Sequence, residues 1–113
     1  MKNYQITEWC HHFIREHVRE GDICIDATAG NGHDTKLLCE LVGETGKVIA
    51  FDIQNMAVEH TKKRLIEAGL VERAEVYLDS HENMDKYVDE ESVTCITFNF
   101  GYFSCIFRFY LLF

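Results

Sequence analysis

Proline is absent from all 113 residues, where a globular chain of this length carries roughly five. That absence excludes proline-stiffened linkers and polyproline recognition segments. Positive charge is scarce as well. Lys and Arg number 11 against 19 Asp and Glu, for a formal net charge of -8. Such a balance repels phosphate backbones and excludes strong nonspecific binding of nucleic acid by the chain as a whole. Any RNA contact needs a local basic patch, and the cluster available, Lys62, Lys63 and Arg64, sits in a helical pattern whose charged face is ordinarily just solvated.

No CxxC pair occurs among the five cysteines, Cys10, Cys24, Cys39, Cys95 and Cys105. Their odd number, their wide spacing and the lack of an opening basic-then-apolar leader lead us to expect a reducing, cytoplasmic setting and no disulfide framework. Cys10, His11, His12 and His17 crowd one stretch, but neighbours on a helix point in different directions, so no metal site is expected. A long uninterrupted apolar run is also missing. Residues 93–113 approach the length of a membrane span, yet Asn99, Gly101, Ser104 and Arg108 interrupt them, and no membrane anchor is expected.

What is present is an ordinary soluble composition, 47% hydrophobic and 27% charged, with room for one domain. Over residues 6–18, Ile6, Trp9, Cys10, Phe13, Ile14 and Val18 recur at helical spacing, and Gly21 supplies a stop. The apolar run Ile23, Cys24, Ile25 reads as a buried strand ending in Asp26 and entering the turn-rich stretch 28–32. A helix over 33–42, a strand over 47–52, a helix over 57–68 and a strand over 74–78 follow. A short helix over 84–88 and an acidic turn then lead to a fourth strand over 93–98. This alternation predicts an α/β fold of about four parallel strands with right-handed crossovers and helices on both faces.

Asp26, Gly30 and Gly32 give the spacing D-x-x-x-G-x-G between a strand and a helix. The glycines allow a tight turn and close approach of a ligand, at the strand ends where open α/β sheets bind them. Asp52 ends the second strand at the offset where an acid accepts ribose hydroxyls. Two ligand classes use this arrangement. A dinucleotide sets a pyrophosphate over the loop and favours a third glycine or alanine where this chain has Thr35, whereas S-adenosylmethionine sets a cation there, which a carboxylate suits. The second is the better match; a plain strand-to-helix turn is the alternative without function.

The stretch Asp26-Ala27-Thr28-Ala29-Gly30-Asn31-Gly32-His33-Asp34-Thr35 resembles the tRNA 5-(aminomethyl)-2-thiouridine methyltransferases, a family once labelled rRNA methylases. Gly46-Lys47-Val48 through Phe51-Asp52-Ile53-Gln54, then Asp79-Ser80-His81-Glu82-Asn83-Met84, then Phe98-Asn99-Phe100-Gly101-Tyr102 fall in the family's order, so the resemblance covers residues 1–102. It implies a Rossmann-like methyltransferase fold, S-adenosylmethionine as cofactor, tRNA as partner, and methyl transfer to the exocyclic amine of an aminomethyl uridine at the wobble position. Such chemistry asks mainly for positioning, so no catalytic nucleophile is named. By resemblance, Asn31 and Asp34 line the methionine end, Asp26 lies near the cationic end, Asp52 takes the ribose with Gln54 beside it, and Ser80 with His81 walls the adenine. Asn99 and Tyr102 face the substrate. For His81 and Asn83 the competing reading is a helix start, with Ser80 as its N-cap and Asn83 three residues on.

After Tyr102 the chain departs from the family, reading Phe103-Ser104-Cys105-Ile106-Phe107-Arg108-Phe109-Tyr110-Leu111-Leu112-Phe113. The expectation is a methyltransferase domain truncated after residue 102, with residues 103–113 as an atypical hydrophobic tail. The fourth strand then becomes an open edge, a route to a homodimer or to self-association. The alternatives are a nonenzymatic remnant that binds the cofactor or only self-associates, and a dinucleotide-binding half domain.

Overall fold

The computed structural model describes residues 3–100, 103–107 and 110–112. Helix α1 (Asn3–His17) leads to β1 (Ile23–Asp26), α2 (His33–Val42), β2 (Lys47–Asp52), α3 (Asn55–Glu67) and β3 (Ala74–Leu78). Two 3-10 turns, His81–Lys86 and Glu90–Ser92, then precede β4 (Val93–Asn99), β5 (Phe103–Phe107) and β6 (Tyr110–Leu112). The strands form one sheet in the order β3-β2-β1-β4-β5-β6. β1 pairs in parallel with β2 and β4, and β2 with β3, so the four-strand parallel core is as expected.

Because side chains alternate across a strand, Cys24, Val48, Cys95 and Cys105 point to one face and Ile25, Ile49 and Ile96 to the other. The first face packs against Cys10 and Ile14 of α1, Val18 directly after it, Leu37, Leu38 and Val42 of α2, and Leu65 of α3. All three α-helices therefore lie on one side of the sheet, where helices on both faces were expected. The reason is topological. Right-handed crossovers from β1 to β2 and from β2 to β3 step the same way along the sheet, and only the return from β3 to β4 crosses the opposite face. That return carries two short 3-10 turns and the segment between them; Met84 of the first turn and Val88 after it cover Ile25, Ile49 and Phe51.

The tail departs further from expectation. β4 is no edge, because β5 runs antiparallel beside it with Asn99 opposite Phe103, Thr97 opposite Cys105 and Cys95 opposite Phe107. A connection this short can only turn back on itself, since a parallel crossover needs a dozen residues or more. Cys105 is fully buried in the cluster with Cys10 and Cys95, while Ile106 beside it is exposed. Among the described residues the edges of the sheet are β3 and β6, where the expectation had β4 as the open edge. Among the described residues no helix is long and apolar enough to cross a membrane.

Candidate ligand cleft at the carboxyl ends of the strands

The strand order reverses direction between β1 and β4, and open α/β sheets bind ligands outside the strand ends at such a point. A cleft of about 280 Å3 lies there. Each strand end contributes: Ala27 and Thr28 after β1, Asp52 and Ile53 at β2, Asp79 to Glu82 after β3, and Phe100 after β4.

Asp52 organises the rim. Its Oδ2 accepts the Gly30 N–H at 3.0 Å and its Oδ1 accepts the Gln54 N–H at 2.9 Å. Two N–H donors leave lone pairs on both oxygens, and a carboxylate so placed can accept from a diol. Gln54 acts here through its backbone. The glycine loop closes on itself through Gly32 N–H to Ala29 O at 2.9 Å. Gly30 and Gly32 take φ of +56° and +86°, which side chains rarely adopt. At Gly32 the demand is also steric, because a Cβ would lie 2.9 Å from Thr61 Cα. This glycine thus serves the approach of α3, where the sequence pointed to the approach of a ligand.

Asp26 does not face the cleft. It is 1% exposed, and its Oδ2 accepts the Thr35 hydroxyl at 2.6 Å while its Oδ1 accepts the Thr28 N–H at 3.2 Å. Burial pushes its pKa up to about 7, against the lowering effect of those bonds. The expected contact with a cationic ligand is replaced by an internal role: Asp26 holds the loop to α2. It points inward because its position in β1 shares the helix-covered face with Cys24.

Asp34 is turned toward α1, where its Oδ1 lies 2.7 Å from His11 Nε2. Asn31 lines a separate hollow against α3, with His60, Lys63, Arg64 and Glu67. Neither side chain lines the strand-end cleft. Ser80 and His81 do. Ser80 also caps the 3-10 turn, its hydroxyl accepting the Glu82 N–H at 3.2 Å, so the N-cap reading and the cleft reading hold together. The His81 ring stands edge-on to Phe98, at 5.5 Å and 89°, and 5.7 Å from Phe100, forming an aromatic wall. Asn99 reaches the rim through its N–H, which donates to Thr28 Oγ1 at 2.6 Å. Tyr102 lies outside the described residues.

Sequence reasoning missed Thr28, Ile53, Asp79, Glu82 and Phe100. One signal was available, since β1 and β2 end in Asp and β3 is followed at once by Asp79. Asp79 accepts the Tyr87 hydroxyl, the Asn83 amide and the Ser80 N–H. These bonds, the Tyr87 one foremost, hold its carboxyl below the usual range. Ile53 left no such signal, since only the fold shows that this apolar residue directly after the rim acid stays 75% exposed.

The family model described as "Putative rRNA methylase" matches residues 48–104, half of the chain. The chain belongs to this family. It is 38% identical over 105 residues to a tRNA (mnm(5)s(2)U34)-methyltransferase, chloroplastic, of Arabidopsis thaliana, covering 85% of this chain and 38% of that protein. Among solved structures it is similar to a putative rRNA-methylase from Clostridium thermocellum. That match has a TM-score of 0.74 and 46% identity over 79% of this chain and 47% of the other. A putative methyltransferase from Streptococcus mutans in complex with SAH gives a TM-score of 0.68 and 37% identity, over 74% of this chain and 46% of that one. The fold is that of the Rossmann-like methyltransferases. The chain spans less than half the length of each of these relatives.

Proposed function

We propose that the strand-end cleft binds S-adenosylmethionine and that the chain is the cofactor-binding part of a methyltransferase acting on the aminomethyl group of a wobble 2-thiouridine in tRNA. The observation that carries the cofactor reading is the charge of the cleft. Asp52, Asp79 and Glu82 line it, with no lysine or arginine among the described residues, a surrounding that repels a pyrophosphate and suits a ligand with cationic groups and a ribose diol. It also disfavours the dinucleotide alternative. Residues 1–102 supply this unit in our reading, and residues 103–113 a tail that extends the sheet.

The residues present fit the ligand. Asp52 accepts from the ribose hydroxyls, already oriented by the Gly30 and Gln54 N–H groups. Ile53 and the His81 ring offer apolar and aromatic surface to the adenine, with Ser80 fixing the start of the turn that carries His81. Asn31 and Asp34, whose side chains lie outside the cleft itself, remain proposed for the methionine end, and Asn99 with Tyr102 for the substrate side. When bound, the cofactor supplies a methyl group already activated on a sulfonium. The chain's task is then to hold the acceptor amine in line and in its neutral form. The wobble uridine reading is supported by the motif over residues 26–35 and by the name of the Arabidopsis relative. It carries with it a reducing compartment such as the cytoplasm, in keeping with five free, buried thiols.

Calorimetric titration with S-adenosylmethionine tests the cofactor, with NAD as the competing ligand. Saturable binding that is lost in Asp52→Ala, with none for NAD, is the expected result. Binding of NAD alone, or of neither by a folded chain, overturns it. Transfer of labelled methyl to tRNA bearing aminomethyl-2-thiouridine tests the substrate, and binding without transfer would leave the chain a cofactor-holding part only.

A further inference from the structure

The carbonyl groups of the glycine loop are taken up by α3. Thr61 Oγ1 donates to Gly30 O at 3.2 Å, and Arg64 Nε donates to Asn31 O at 2.8 Å. The two side chains stand three residues apart, on one face of the helix, and grip consecutive carbonyls. The absence of a Cβ on Gly32 lets the backbones of loop and helix approach to make these bonds. Thr61 is fully buried.

In a trans peptide the C=O and the following N–H point opposite ways, and the described chain has no cis bond. Drawing Gly30 O toward α3 therefore turns the Asn31 N–H away from α3. Among the described residues no oxygen accepts that N–H. Gly30 N–H, one peptide earlier, is the donor that orients Asp52. The loop continues into α2, whose first turn has no side-chain cap.

We propose that Thr61 and Arg64 are positioning residues for the cofactor: they hold the loop so that Gly30 N–H steadies Asp52 and Asn31 N–H stands ready for an acidic oxygen of the ligand. This rests on the cofactor reading above. Neither residue touches the ligand in this arrangement. Both act through the loop carbonyls they hold, and the basic stretch of α3 that reads in sequence as a solvated face contributes one of its members to the site.

The test uses S-adenosylhomocysteine as probe on the full chain, with amide exchange of the loop as a second readout. Arg64→Ala is expected to weaken binding about tenfold, the loss of one hydrogen bond to a charged donor. It should also speed exchange at Gly30 and Asn31, with the melting temperature little changed because Arg64 is only partly buried. Arg64→Lys, long enough to donate to the same carbonyl, is expected to restore most of the affinity, and Thr61→Ser to match the parent where Thr61→Val does not. Unchanged affinity and unchanged exchange in Arg64→Ala overturn the proposal. Should the parent chain itself fail to bind, the cofactor reading falls. Exchange then decides the clamp alone: faster in the variant supports it, equal overturns it.

Discussion

Thr35 Oγ1 donates to Asp26 Oδ2 at 2.6 Å in a space closed to solvent, both residues being no more than 1% exposed. The pair joins β1 to the first turn of α2 and sets the entry of the glycine loop. It also buries a titratable group, and burial pushes that group up to about 7.

An aspartate in an unfolded chain titrates near 3.9. Between there and about 7 the folded chain keeps a proton that the unfolded chain has released. The associated stability is complete below about pH 4, declines as pH rises and is gone above about pH 7, at on the order of 1.4 kcal/mol per pH unit. Asp26→Asn has no such titration. We expect the stability of the parent relative to the variant, from urea unfolding, to fall between pH 5 and 7. A difference that is level with pH would mean that Asp26 is ionised throughout. Glu75 and Asp79, whose carboxyls are held low by their hydrogen bonds, change stability in the opposite sense but equally in both proteins.

Gly32 meets α3 at a distance that leaves no room for a methyl group, and its φ of +86° is strained for any other residue. Gly32→Ala is expected to cost on the order of 2 kcal/mol or more, from strain and overpacking together, and to weaken S-adenosylmethionine binding through the displaced loop. Thermal unfolding with calorimetry on the same sample checks both. A variant as stable as its parent would show that loop and helix separate freely.

Ile53 offers the opposite test, because it is 75% exposed and contributes little to the core. Ile53→Ala should stay within about 0.5 kcal/mol of the parent in stability and bind the cofactor several-fold more weakly. Equal affinity would remove Ile53 from the site.

Five buried thiols predict slow chemistry. Cys39 is pushed up to about 12 by burial, and the Cys105 thiol is raised above the ordinary range by the same cause. With a thiol reagent at pH 8, the native chain should label slowly and the urea-unfolded chain at all five positions. Fast labelling of Cys105 in the native chain would mean that β5 leaves β4 readily.

The pairing of β4 is open to amide exchange. A strand flanked by β1 and β5 should exchange more slowly than β3, which has a partner on one side only. Exchange in β4 as fast as in β3 would return it to the status of an edge.

The sequence shows where the strands and helices lie, because local signals suffice. Ile23 to Ile25 is an apolar run closed by an acid and glycines, and Leu37, Leu38, Leu41 and Val42 repeat at helical spacing. Ser80 reads as a cap from its place before a polar turn, and it is one. The loop 26–35 and the acid at Asp52 mark the cleft end of the sheet for the same reason, since turn chemistry and strand ends are written in consecutive residues.

What consecutive residues do not carry is direction across the sheet. Asp26 and Asp52 both end strands, yet Asp26 is sealed beneath α2 while Asp52 stands at the rim. The difference arises from which neighbours close over each position. Likewise Arg64 reads as part of a solvated basic stretch until the fold brings it 2.8 Å from Asn31 O, 33 residues away. The aromatic tail reads as a liability until β5 lies on β4 and buries Cys105 against Cys10. Local propensity and periodicity set the elements and their order, because those forces act within a few residues. Burial, the raised pKa of Asp26, the grip of α3 on the loop and the edges of the sheet were decided by tertiary structure, because each depends on groups that meet only when distant elements pack.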